Sequence, residues 1–168
     1  MLCGFQEYIE GDIIDPWTIL DAESLLPVLY KTKKDRGITM PLSSDEWVAD
    51  ARKKGAQLID RLKRMITHSG HIPDLAAVGN LIITANGEIC LEDINNISAV
   101  YSDSTIPLDE KGYPVCDKSD EALSLMERKI VGRPINMEEK LYKQFLTSQR
   151  KNLVQEKVAL FSEKFVGK

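Results

Sequence analysis

The sequence runs to 168 residues, of which 43% are hydrophobic and 29% charged, with 26 acidic against 22 basic side chains for a formal charge of −4. That length suffices for one domain with its own core, and the mixed composition, free of Gly/Ser tracts, Pro tracts and repeats, argues for a soluble globular chain rather than a disordered one. The acidic excess removes any electrostatic reason to expect a nucleic-acid partner, and no apolar run is long enough to span a membrane.

In chain order, residues 2 to 9 read as a strand closed by a turn at Glu10-Gly11. Asp15 followed by Pro16 is a good helix start, with Trp17, Leu20, Leu25 and Leu26 on one side and Pro27 ending or bending the helix. Residues 30 to 42 read as a polar connection, and the basic cluster Lys31, Lys33, Lys34 and Arg36 as a solvated surface loop. Ser43 with Glu46 three positions on is a capping box. Behind it Trp47, Val48, Ala51, Gly55, Leu58, Ile59, Leu62, Met65 and Ile66 recur at helical spacing until Ser69-Gly70, which predicts a helix in the core.

Two β runs, 80 to 84 and 88 to 92, flank Ala85-Asn86-Gly87. Asn-Gly is the strongest short hairpin signal, because both residues tolerate the positive φ of a type I′ turn. Tyr113-Pro114 then marks a turn, residues 119 to 130 a helix stopped by Gly132 and Pro134, and Asn136 with Glu139 a second capping box. From there to Val166 one long helix or two in tandem both fit. The order predicts an α+β fold, mainly α. Cys3, Cys90 and Cys116 are too few and too scattered for a disulfide framework or a zinc site, and are expected as free thiols in a cytoplasmic protein. The first residues lack the basic flank and apolar stretch of a secretion signal.

The chemistry concentrates in residues 71 to 80, His-Ile-Pro-Asp-Leu-Ala-Ala-Val-Gly-Asn, followed by the hairpin over 80 to 92 and then Asp93. Phosphoryl transfer from a nucleotide needs a carboxylate near the acceptor hydroxyl and oxygen ligands that hold Mg²⁺ on the phosphates. Asp74, Asn80 and Asp93 are of these types, and a hairpin can return Asp93 to Asn80 across thirteen positions. The arrangement resembles the C-terminal lobe of the protein-kinase-like superfamily, in which a catalytic loop ending in Asn is followed by a hairpin and a metal-binding Asp. The Asn-to-Asp interval is that of typical family members. Residues 2 to 11, beginning Leu-Cys-Gly-Phe-Gln-Glu, look like the hinge that joins the two lobes, and the stripe from Trp47 to Ile66 looks like the helix that precedes the catalytic loop.

The resemblance implies one kinase-like C-lobe over residues 1 to 168 with the hairpin at its cleft. It implies Asp74 as the catalytic base, Asn80 and Asp93 as Mg²⁺ ligands, and the backbone of Glu7 and Ile9 facing the adenine of ATP. It also implies that the nucleotide-gripping N-terminal lobe is largely absent, so that a partner chain or upstream sequence completes the site, or the fold serves as a non-catalytic binding module, a pseudokinase. Apolar Leu2, Phe5 and Ile9 would then offer a hinge-side surface for a partner or a second copy. The sequence departs from the family within the loop: Asp74 to Asn80 is one residue longer than usual, Pro73 precedes the Asp, Ala76 replaces a Lys or His, and Ile94-Asn95 replaces Phe-Gly. Asn95 or Asn96 is a further candidate ligand. Taken singly, each of these residues is explained by turn capping or a strand end.

Overall fold

The computed structural model describes residues 9–17, 25–92, 96–101, 103 and 105–166, with side chains as far as residue 164. In chain order its first half holds β1 (Asp12–Ile13), α1 (Leu25–Asp35), α2 (Ser44–Ser69), β2 (His71–Pro73), β3 (Leu81–Ile83), β4 (Ile89–Leu91) and β5 (Ile97–Ala99). The second half holds α3 (Val115–Met126), a π-helical turn over Glu127–Val131, α4 (Lys140–Phe145) and α5 (Ser148–Val166). The fold is α+β and mainly helical, with one sheet in the order β1-β3-β4 and a second, β2-β5, all pairs antiparallel.

Helix α2 forms where its local chemistry demands. Ser43 adopts extended backbone, its N–H donates to Glu46 Oε2 at 3.0 Å, and its Oγ accepts from the Glu46 N–H, so two otherwise orphaned donors are satisfied. Gly70 ends the helix in the left-handed region at φ 66° and donates to the Ile66 carbonyl. Between the caps, Trp47, Ala51, Gly55, Ile59, Leu62 and Ile66 are buried along one stripe. Each large apolar side chain there contributes about 1.5–3 kcal/mol by leaving water. Trp47 Nε1 also donates to the Ala85 carbonyl at 2.7 Å, so the helix start is tied to the hairpin turn.

The hairpin forms between β3 and β4 in the register Leu81↔Leu91, Ile82↔Cys90, Ile83↔Ile89. Its turn is not the expected type I′, because Asn86 keeps a negative φ and only Gly87 is positive, at 72°. Gly87 N donates to the Thr84 carbonyl and Thr84 N to the Glu88 carbonyl, the pattern of a three-residue loop with a glycine bulge. A Cβ on Gly87 would stand 3.0 Å from Ala51 Cβ, so packing on α2, as well as φ, selects glycine.

Two expectations over residues 9–42, on Pro27 and on the basic cluster, are corrected, and two others fall largely outside the described residues. The strand pairing with β3 falls at Asp12–Ile13, beyond the Glu10-Gly11 turn, while residues 2 to 8 lie outside the described ones. Asp15 Oδ1 accepts from Trp17 N in a turn, and residues 18–24 are likewise outside. Pro27 does not end a helix: the helical run continues past it to Asp35. Lys31, Lys33 and Lys34 ride on that helix rather than on a loop, with Arg36 in the turn just after it, and Lys33 is 1% exposed. Its stem crosses the core edge, and its ammonium pairs with Asp12 at 2.5 Å and donates to the Ile83 carbonyl at 3.0 Å. Burial pushes the Asp12 carboxyl up, but Lys33 and Arg36 outweigh it and hold Asp12 below the usual range.

In the second half, α3 begins at Val115, four residues ahead of the expected helix, and Gly132 stops the helical run at φ 75° as expected. The Asn136 box does not form. Asn136 Oδ1 accepts from Glu138 N, Glu139 becomes the N-cap without a side-chain bond, and the Glu139 carboxylate turns to Lys63 instead. Two tandem helices follow, separated at Leu146-Thr147.

Candidate functional site

The site is built where α2 ends. Gly70 turns the chain into β2, which pairs with β5 in the register His71↔Ala99, Ile72↔Ser98, Pro73↔Ile97. This pairing closes a loop over residues 74–80, and Asp74 N donates to the Asn96 carbonyl at its base. Helix α3 supports the loop from below, with Ser119 Oγ accepting from Leu75 N at 3.2 Å. Trp17 covers it from outside, its Nε1 donating to the Ala76 carbonyl at 3.0 Å while Lys118 lies over its ring.

Asp74 and Asn80 are brought together. Asn80 Nδ2 donates to the Asp74 carbonyl at 2.7 Å, and the Asn80 carbonyl accepts from Glu92 N at 2.9 Å. The hairpin thus returns the chain to Asn80 at Glu92, one residue before Asp93. Asp93 and Glu7 lie outside the described residues, and Ile9 is half-buried ahead of β1. Asn96 proves to be a partner of the loop: its Nδ2 donates to Asp74 Oδ2 at 3.1 Å.

The Asp74 carboxylate is nevertheless turned into its own loop. Oδ1 accepts from Ala76 N and Ala77 N at 3.0 and 3.1 Å, Oδ2 from Asn96, and the residue is only 5% exposed. A general base needs a lone pair facing the proton it takes. In this conformation three donors already use the carboxylate, two of them loop amides that it caps. Its charge is felt outside the loop by Tyr113, whose phenol is pushed up by burial first and by Asp74 next. Asn80 fits a ligand role better. Its amide nitrogen is spent on the Asp74 carbonyl, which directs Oδ1 along the other limb of the amide. Among the described residues no group of three His, Cys, Asp or Glu could hold a metal. Asn80 supplies a neutral oxygen only, and Mg²⁺ is ordinarily held by one or two carboxylates with the substrate phosphates.

The most concentrated buried charge lies elsewhere, and sequence reasoning missed it. Glu127, 2% exposed in the π-helical turn, accepts from Lys63 at 2.6 Å, from Arg133 at 2.5 Å and from the Tyr142 hydroxyl. Lys63 also pairs with Glu139 and lies over the Tyr142 ring, and Arg133 pairs with Asp60. Apart from Asp60 with Lys63 in α2 and Glu139 with Tyr142 at the start of α4, these residues lie on separate elements, which is why pattern reading does not find them. Nearby Asp120 is wholly buried, with neither carboxylate oxygen hydrogen-bonded. Burial, then the charge of Asp117, push its carboxyl well above the ordinary value of 3.8.

That shift has a signed consequence. A raised carboxyl pKa means the folded chain keeps its proton after the unfolded chain has lost it, so stability from this group is present below pH 3.8 and declines as pH rises toward the folded pKa. Asp120→Asn cannot titrate. The variant is expected to gain on wild type steadily above about pH 4, by up to about tenfold in the folding equilibrium per pH unit within that window. Urea titrations of both proteins from pH 3 to 8 measure the difference, and parallel curves would show that Asp120 ionises normally.

Compared with known protein families, curated proteins and solved structures, the chain matches none.

Proposed function

We propose that the chain is a protein-kinase-like C-lobe that binds Mg²⁺ and ATP at the loop over 74–80. The observation that carries this reading is the bond from Asn80 Nδ2 to the Asp74 carbonyl, with Glu92 returned to Asn80 by the hairpin. It supports a cleft at which Asn80 and Asp93 would hold the metal and the backbone at Glu7 and Ile9 would face the base. When bound, Mg²⁺ would neutralise charge on the nucleotide phosphates. The chain's own contribution is rigidity: Asp74 holds two loop amides, Ser119 a third, and Trp17 shields the Ala76 carbonyl, so Asn80 is presented from a fixed frame.

The engaged Asp74 carboxylate favours the binding-module reading over turnover by the isolated chain. In a thermal-shift titration with ATP and MgCl₂, wild type is expected to gain several degrees, and Asn80→Ala and Asp93→Ala to lose most of that gain. Phosphate release by the chain alone is expected to stay at background. A wild-type melting temperature indifferent to ATP·Mg removes the nucleotide reading, and an equal gain in all three proteins removes these ligands from it.

A further inference from the structure

A cleft of about 480 Å³ separates α5 from the start of α3. Its origin is mechanical. Helix α5 is fastened at two places: Arg150 donates bidentately to Asp117 at 2.7 and 3.0 Å, and three turns on Phe161 rests against Gly112. Gly112 has φ 82°, and a Cβ there would overlap the Phe161 ring, so glycine sets the second fastening. Between the two, α5 offers Val154, Val158 and Ala159, too small to reach Tyr113 and Pro114 opposite, and the gap stays open. Its size is that of a site for a small organic molecule, and its walls are largely apolar, as in such sites.

The mouth is charged, and the charges do not cancel. Asp117 is neutralised by buried Arg150. Glu121 faces two lysines, Lys118 at 3.0 Å and Lys151 at 3.5 Å, which leaves one positive charge over a shared carboxylate. Both lysines are partly exposed, so either can swing to a second anion without an unpaired buried charge being created.

We infer that this cleft binds a small apolar monoanion, an alkyl or aryl carboxylate or sulfonate whose hydrocarbon part fills the space over Val154 and Val158 and whose charge lies between Lys118 and Lys151. A cation of the same shape would meet the lysines, and a neutral alcohol would lose the charge contact. None of the lining residues belongs to the loop over 74–80, although Lys118 also lies over the Trp17 ring that covers it, and the inference does not depend on the nucleotide reading.

The test uses the full chain and anilinonaphthalene sulfonate as a fluorescent probe, displaced by octanoate, octanol or octylammonium. Saturable binding at one dye per chain is expected, with octanoate displacing at about tenfold lower concentration than octylammonium. Replacing both lysines, Lys118→Gln with Lys151→Gln, is expected to weaken octanoate by about tenfold while leaving octanol unchanged. Ala159→Phe fills the space from an exposed helix position and is expected to abolish dye binding, with the melting temperature showing that the fold is intact. The inference fails if octylammonium competes as well as octanoate, if dye binding survives Ala159→Phe in the folded protein, or if binding does not saturate.

Discussion

Glu127→Ala is expected to cost about 3–5 kcal/mol of stability, the penalty for stranding buried partners of a removed charge. Glu127 is the common acceptor of Lys63, Arg133 and the Tyr142 hydroxyl, and Lys63 and Tyr142 are largely out of water. Truncation leaves the buried phenol facing a void that Ala cannot fill, and the Lys63 ammonium with Glu139 as its remaining carboxylate. Tyr142 loses the bond that, after burial, raises its phenol further. Arg133 is partly exposed and can turn to water or keep Asp60, so it adds little to the loss. Replacing both ends, Glu127→Leu with Lys63→Met, removes the stranded charge and is expected to restore most of the stability, because apolar packing substitutes well for a buried pair. Urea denaturation of the three proteins with matching m-values decides the matter. A Glu127→Ala loss below about 1 kcal/mol would mean that the cluster is solvated like a surface pair.

Asp117→Ala is the second large effect, and it is expected to be local. Arg150 is 6% exposed and gives two of its donors to Asp117 and one to the Thr105 carbonyl. Without the carboxylate, a guanidinium stays buried against the Phe145 ring with one carbonyl for company, a cost of about 3–5 kcal/mol if the structure does not yield. It can yield, since most of α5 is exposed and Val154 is its one buried apolar side chain among the described residues. Undocking α5 therefore relieves the charge more cheaply than global unfolding. Amide exchange in residues 148–164 is expected to accelerate by at least tenfold while α2 keeps its protection, and Asp117→Asn, which retains an acceptor, is expected to fall between. Equal acceleration in α2 and α5 would show that the fastening supports the whole fold.

How much of this was legible beforehand follows from the reach of each interaction. The α2 helix, its Ser43–Glu46 box and its Gly70 stop were readable because every participating group lies within four residues of its partner. The hairpin was readable for the same reason, although the type of its turn was not: Gly87 packs on Ala51, and Asn86 keeps ordinary backbone. The site was legible as residue types and an interval, and Asp74 and Asn80 do meet. Capping of the loop by Asp74 was legible too, since Ala76 N and Ala77 N lie two and three positions on; only the bond from Asn96, twenty-two positions away and placed by the β2–β5 pairing, was not.

Tertiary structure alone decided the rest. Pro27 was compatible with ending a helix or bending it, and the helix it belongs to runs on to Asp35, packed on α2. Lys33 reads as a surface residue until Asp12 and the Ile83 carbonyl are brought to it. Glu139 is chemically able to cap a helix, but Lys63, seventy-six positions away, offers a charge where a cap offers only a backbone amide. What the amino-acid order determined by itself was therefore the set of elements whose hydrogen bonds close within a turn of chain. What it left to the fold was every choice between a local partner and a distant charged one, because the strength of the latter depends on burial that exists only once the elements have packed.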